Sequence, residues 1–124
     1  MRSFLAALLM FTLMPAWAAW VKVSENDGVT YYIDPTSIRK YGDIVRVWEL
    51  TDRDARGGNG SLSERWLKEH DCKQGQSRRL SVAEYSERML TGRMMGGFDV
   101  QDERWTYVRP DSIGEDLWKF ACSK

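Results

Sequence analysis

From residue 20 onward, short runs of β-branched and aromatic residues alternate with turn residues, and only the final stretch spaces its apolar positions as a helix does. Segments 20–23 and 29–33 are β-prone and flank Glu25-Asn26-Asp27-Gly28, whose Asp-Gly pair favours a tight hairpin. Segment 44–51 predicts a third strand. Its two faces, Ile44, Arg46, Trp48, Leu50 and Val45, Val47, Glu49, both carry apolar residues, which places it inside a sheet rather than at an edge. Segments 65–72 and 78–86 predict a second hairpin around Lys73-Gln74-Gly75-Gln76, and 98–108 a last strand.

The helix signal occupies 107–122. Ser112 and Glu115 have the spacing of a capping box, Pro110 precedes them, and Ile113, Leu117, Trp118, Phe120, Ala121 and Cys122 form a broad apolar arc. Such an arc predicts a helix lying on a sheet face, with Cys122 near one margin. Cys72 shares a strand face with Trp66, Lys68 and His70, so that face should look toward the helix. Gly114 weakens a helix by about 1 kcal/mol relative to alanine, and close approach to the sheet is the expected compensation.

Two connections interrupt the strands. Segment 52–63, with Gly57, Gly58 and Gly60 among charged and polar residues, buries too little apolar surface to offset ordering. It reads as a mobile hairpin loop with Asp52 and Asp54 solvated. Segment 90–97, containing Arg93-Met94-Met95-Gly96-Gly97, reads as a second mobile connection whose methionines fold back on the domain or form an adaptable contact surface. A local echo links the two halves: 32–38 and 107–113 share Y-[IV]-x-P-x-S-I. In each copy proline stops a strand, serine caps a helical turn and isoleucine packs back.

The N-terminus has a different pattern. Arg2 is followed by an apolar stretch over 4–14, and Ala16-Trp17-Ala18 sets small residues where a signal peptidase reads them. A spanning helix needs roughly 20 apolar residues, and this stretch is shorter. The expectation is export with cleavage after Ala18, leaving 124 − 18 = 106 residues as one domain over 19–124. With no lipid-accepting cysteine at the cleavage site, the mature chain is expected in the periplasm or secreted, without a membrane anchor.

Charge narrows the partners. The chain carries 18 basic and 18 acidic residues, and loss of Arg2 leaves 17 against 18. This balance argues against nucleic acid as a partner, although a local basic face stays open. Two cysteines in an exported chain are most simply a disulfide between Cys72 and Cys122. A loop of 122 − 72 = 50 residues corresponds to roughly 4 kcal/mol, an upper figure, in the chain-entropy description. A redox-active pair would instead call for a close Cys-x-x-Cys.

Residues 32–38, Ile44-Val45-Arg46-Val47-Trp48-Glu49-Leu50, Asp71-Cys72, Pro110-Asp111-Ser112-Ile113-Gly114-Glu115 and Trp118-Lys119-Phe120-Ala121-Cys122 resemble the surface-adhesin protein E family of Gram-negative bacteria. The resemblance implies an α+β fold: an antiparallel sheet of about six strands with a C-terminal helix on one face, tied to it by a disulfide. It also implies an adhesin that engages host extracellular-matrix and serum proteins, with a link to haem.

Candidate chemistry is sparse. His70 is the only histidine, with neither a metal-ligand spacing nor a G-x-S-x-G elbow nearby, so catalytic, metal and cofactor sites are all expected to be absent. His70 reads as a partly buried, hydrogen-bonded imidazole beside the disulfide; a serine–histidine–acid set and an axial haem ligand are the sharper alternatives. Trp20, Trp48, Trp66, Trp105 and Trp118 lie on predicted strands or the helix, where packing is their first role. Exposed strand edges could recruit a partner strand or a second copy as a homodimer. Three function classes remain: a non-catalytic protein-binding module of the envelope or cell exterior, a structural or envelope-maintenance protein, and a small-molecule (haem-like) binder or enzyme.

Overall fold

The computed structural model describes residues 19–124, so the expected leader over 1–18 lies outside the described residues. The strands are β1 (Val21–Asn26), β2 (Val29–Ile33), β3 (Arg39–Tyr41), β4 (Ile44–Arg53), β5 (Ser63–Asp71), β6 (Gln76–Tyr85), β7 (Met94–Asp99) and β8 (Thr106–Tyr107), and the helix is α1 (Ile113–Cys122). All pair antiparallel in the order β1-β2-β4-β5-β6-β7, with short β3 on β4 and short β8 on β6. Eight strands therefore stand where about six were expected; the six of the main order are the backbone of the sheet and the extra two are short adjuncts.

Local chemistry explains the joints. Asp27 and Gly28 both take positive φ, 49° and 76°, the twist that a two-residue hairpin needs between β1 and β2. Asp71 Oδ1 accepts from the Lys73 and Gln74 amides at 3.0 and 2.9 Å, closing the β5–β6 turn. β4 is central as expected, flanked by β5 on one side and by β2 and β3 on the other.

The helix covers one face. Ser112 Oγ accepts from the Glu115 amide at 3.1 Å, and the Glu115 carboxylate accepts from the Asp111 amide at 3.3 Å, a slightly displaced capping box. Leu117 and Ala121 enter a core with Ile33, Val45 and Val47, joined by Val23, Tyr31, Ile38, Ile113 and Phe120. Trp118 Nε1 donates to the Asp71 carbonyl at 3.0 Å, and Cys72 is bonded to Cys122 with their Cα atoms 5.6 Å apart. The last helical turn is thus fastened to the β5 end by an apolar contact, a hydrogen bond and a covalent bond.

The echo is wired alike in both copies. Ser37 Oγ donates to the Asp34 carbonyl and accepts from the Trp48 amide, at 2.7 and 3.0 Å. Ser112 Oγ donates to the Arg109 carbonyl at 2.6 Å while capping α1. Ile38 and Ile113 both pack on the core. The first copy stops after a single 3₁₀ turn, Pro35–Ser37, because Ile38 is extended and leads into β3.

Four expectations need correction. The last strand is not 98–108: Met94–Asp99 pairs with β6, and a turn through Asp102, at φ 52°, separates it from β8. The second half of the 90–97 connection is thereby strand, and Met94 and Met95 stay exposed rather than folding back. Asp52 is not solvated; it is 1 % exposed, and Arg88 donates to Oδ2 while the Met89 amide donates to Oδ1 at 2.7 Å. Composition makes the segment around Asp52 a loop, whereas the ladder of β4 runs to Arg53 and a long-range arginine supplies the counter-charge. A methyl group on Gly114 would meet only Ser112 Oγ, at 3.6 Å, so no close approach to the sheet requires glycine there.

Candidate functional site

The helix-side face contains a buried polar line. Val45, His70, Ser77 and Thr106 are register partners across β4, β5, β6 and β8, and Val47, Lys68 and Arg79 form the next row. Period-two alternation on β4 puts Glu49 on this same face as Val45 and Val47, 2 % exposed. His70 Nε2 lies 2.6 Å from Glu49 Oε2 and His70 Nδ1 2.6 Å from Ser77 Oγ. An ionised carboxylate only accepts, so Nε2 donates to Glu49; in the neutral ring, Nδ1 then accepts from the Ser77 hydroxyl.

Burial opposes the charge on Glu49, but Lys68, whose Nζ is 3.0 Å from Oε1, and the His70 hydrogen bond outweigh it, holding the carboxyl below the ordinary glutamate value. A cavity of about 230 Å³ lies alongside, bordered by Lys68, His70, Ser77, Arg79, Thr106 and Leu117. Arg79 is held over the Trp66 ring, 5.4 Å from its centroid, and donates to Glu103 from its side chain and its amide. Burial again opposes ionisation of Glu103, and Arg79 reverses the balance.

The sequence expects a hydrogen-bonded His70 but names no partner for it. Pairing of β4, β5 and β6 brings Glu49 and Ser77 to it from 21 residues before and 7 after, so the serine–histidine–acid set is present in space. Ser77 nevertheless lies within β6, between His70 of β5 and Thr106 of β8, rather than on an exposed strand-to-helix turn. His70 is more deeply buried than expected, at 1 % exposure, and both ring nitrogens are already hydrogen-bonded, so neither is free as an axial ligand. Among the described residues no three His, Cys, Asp or Glu side chains gather as metal ligands.

The outer face is built from a different alphabet. Arg46, Glu69 and Arg78 are register partners across β4, β5 and β6. Arg46 donates from Nε and Nη2 to Glu69 Oε2 at 3.2 and 3.0 Å, and Arg78 from Nε and Nη2 to Oε1 at 2.9 and 2.7 Å. Each guanidinium also stacks on a ring, Arg46 5.4 Å from the Tyr41 centroid and Arg78 4.5 Å from that of Trp105. Burial beneath this layer opposes ionisation of Glu69, and the two arginines more than offset it, so its carboxyl is also held low. Two rows along, Arg65 lies 4.6 Å from the centroid of Trp48, which occupies the row between. The far end of this face is closed by the 3₁₀ turn Arg88–Leu90, which Asp52 and Ser63 hold through the amides of Met89 and Leu90.

The sequence named these arginines only as polar members of strands. Alternation on β4 put Arg46 and Trp48 on one face, which is the available signal; the pairing of Glu69 with two arginines needed the register.

Comparison with solved structures places the fold. Crystal form II of Haemophilus influenzae protein E superposes with TM-score 0.63 at 17% identity, covering 86% of this chain and 89% of that one. Protein E from non-typeable Haemophilus influenzae gives 0.57 at 16%, over 89% and 79%. No curated protein matches the chain. At such identities the likeness establishes the fold, a sheet with a terminal helix. Residues 20–123 match the family described as surface-adhesin protein E, and the chain belongs to that family.

Proposed function

We propose that the chain is an exported, non-catalytic protein-binding module that meets its partners with the sheet face opposite α1. The supporting observation is the outer arrangement of Arg46, Arg65 and Arg78 with Tyr41, Trp48 and Trp105, since arginine, tryptophan and tyrosine are the residues on which protein interfaces concentrate their energy. Family membership adds an adhesin-like surface role. Export by the leader over 1–18, with cleavage after Ala18 and one folded unit over 19–124, belongs to the same reading. Host or envelope proteins are its partner class, and the exposed strand β7 leaves a homodimer within it.

The small-molecule alternative has the inner cavity of about 230 Å³ in its favour. His70 is already fully hydrogen-bonded there, which weakens a haem-like ligand. Crosslinking pull-down from periplasmic and culture fractions tests the proposal, with reduced and alkylated chain as the unfolded control. The expected result is a saturable protein partner captured by the native chain only, unchanged by Ser77→Ala. Capture no greater than the unfolded control would remove the proposal.

A further inference from the structure

We propose that the outer face, centred on Arg65, takes an acidic polypeptide segment carrying an apolar side chain; this deepens the protein-binding reading and rests on it. Three arginines share that face in a chain of zero net charge: Arg46 and Arg78 flank Glu69 in one row, and Arg65 lies two rows away. Glu69 occupies the Nε and Nη2 edges of Arg46 and Arg78. Arg65 has no carboxylate partner among the described residues, and its Nε is buried without a hydrogen-bond partner. An unsatisfied buried donor is costly, and its guanidinium lies over Trp48, 4.6 Å from the ring centroid. A planar, pre-positioned guanidinium is suited to a carboxylate, which it binds through two parallel hydrogen bonds.

The second half of the ligand follows from the neighbouring groove. A depression of about 330 Å³ is bordered by Trp48, Arg65, Ala83, Met94, Phe98 and Asp99. Met94 is 55 % exposed and, through Tyr85 and Ser63, shares the outer face with Trp48, so apolar surface waits beside the cation. Asp99 disfavours a carboxylate inside the groove, which orders the ligand: acid on Arg65, apolar group between Trp48 and Met94. A sulfated polysaccharide would satisfy the arginines and leave that apolar surface wet, so the combination favours a polypeptide.

The test uses the whole disulfide-bonded protein and a fluorescein-labelled peptide of glutamates around one phenylalanine, read by anisotropy at low salt. Saturable binding is expected, weakened by at least about tenfold in Arg65→Gln, less in Arg65→Lys, and unchanged in Lys22→Gln on remote β1. Replacing the peptide phenylalanine by glycine, or Met94 by serine, should weaken binding independently, which keeps the test sound if Arg65→Gln misfolds. No saturable binding, equal binding by a folded Arg65→Gln protein, or binding of heparin oligosaccharide but not peptide each overturns the inference. A native partner captured by pull-down and unaffected by Arg65→Gln would sink the inference alone; absence of any captured partner would sink the broader proposal.

Discussion

Glu49 and Glu69 are two glutamates on opposite faces of one sheet, 2 % and 4 % exposed, each ionised against its burial by basic neighbours. Their surroundings differ in where the counter-charge ends. Glu49 is closed in by Lys68 and by His70, whose side chains are 22 % and 2 % exposed. Glu69 is closed in by Arg46 and Arg78, 43 % and 35 % exposed, whose remaining edges meet solvent. The same acid thus does two jobs: on the inner face it consumes polarity beside the helix, and on the outer face it fixes two cations in a geometry others can use. A charge held from below by one carboxylate stays available above because arginine has more donors than one carboxylate can take.

The largest effect should come from the inner face's covalent tie. Cys122→Ser frees α1, which is too short to be stable alone, and the loop-entropy argument gives a loss of up to about 4 kcal/mol. Thermal unfolding should shift down sharply, and tryptophan emission should move red as Trp118 leaves the Asp71 carbonyl. An unchanged melting temperature and emission would show that packing, rather than the bond, holds the helix. The native protein should yield no alkylatable thiol, both cysteines being bonded.

Next in size is Glu49→Ala, which leaves Lys68 and His70 without their shared acceptor and should cost about 3 kcal/mol. Glu69→Ala should cost less, about 1 to 2 kcal/mol, because Arg46 and Arg78 can turn to water. Chemical denaturation of both variants measures the gap, and equal losses would erase the distinction between the faces. Acid offers a second reading. Both carboxyls have folded-state values below the ordinary 4.5, so their stabilisation is complete above that value and disappears as pH falls through the lowered ones. Denaturation midpoints should therefore hold near neutrality and fall below about pH 4.5, with a shallower fall in Glu49→Gln and Glu69→Gln. A midpoint flat down to pH 3 would contradict the assignment.

Much of the inner face was legible in the sequence, and little of the outer face. Capping spacing and the apolar arc located α1, alternation placed Cys72 and His70 on the helix side, and both positions follow from periods local to one element. Partners for His70 and Glu69 are set by register between strands, which alternation constrains only to a face, so Ser77, Glu49, Arg46 and Arg78 were assembled only by the structure. Asp52 failed for the same reason: its neutraliser, Arg88, is 36 residues away. Strand β7 failed because Gly96 and Gly97 depress strand propensity, while pairing with β6 supplies the missing stabilisation.

The smallest expected effect sharpens the inner half of the comparison. Gly114 lies in the first turn of α1 and borders the inner cavity, and a Cβ there meets nothing closer than Ser112 Oγ at 3.6 Å, an ordinary contact. Gly114→Ala removes backbone freedom from the unfolded chain without a clash, so it should stabilise by about 0.5 kcal/mol and raise the melting temperature by about 2 to 4 °C. Differential scanning calorimetry resolves a change of that size. A lowered melting temperature would mean that α1 sits closer to β5 and β6 in solution, that the inner cavity is correspondingly closed, and that the helix-side face is packed as tightly as its sequence first implied.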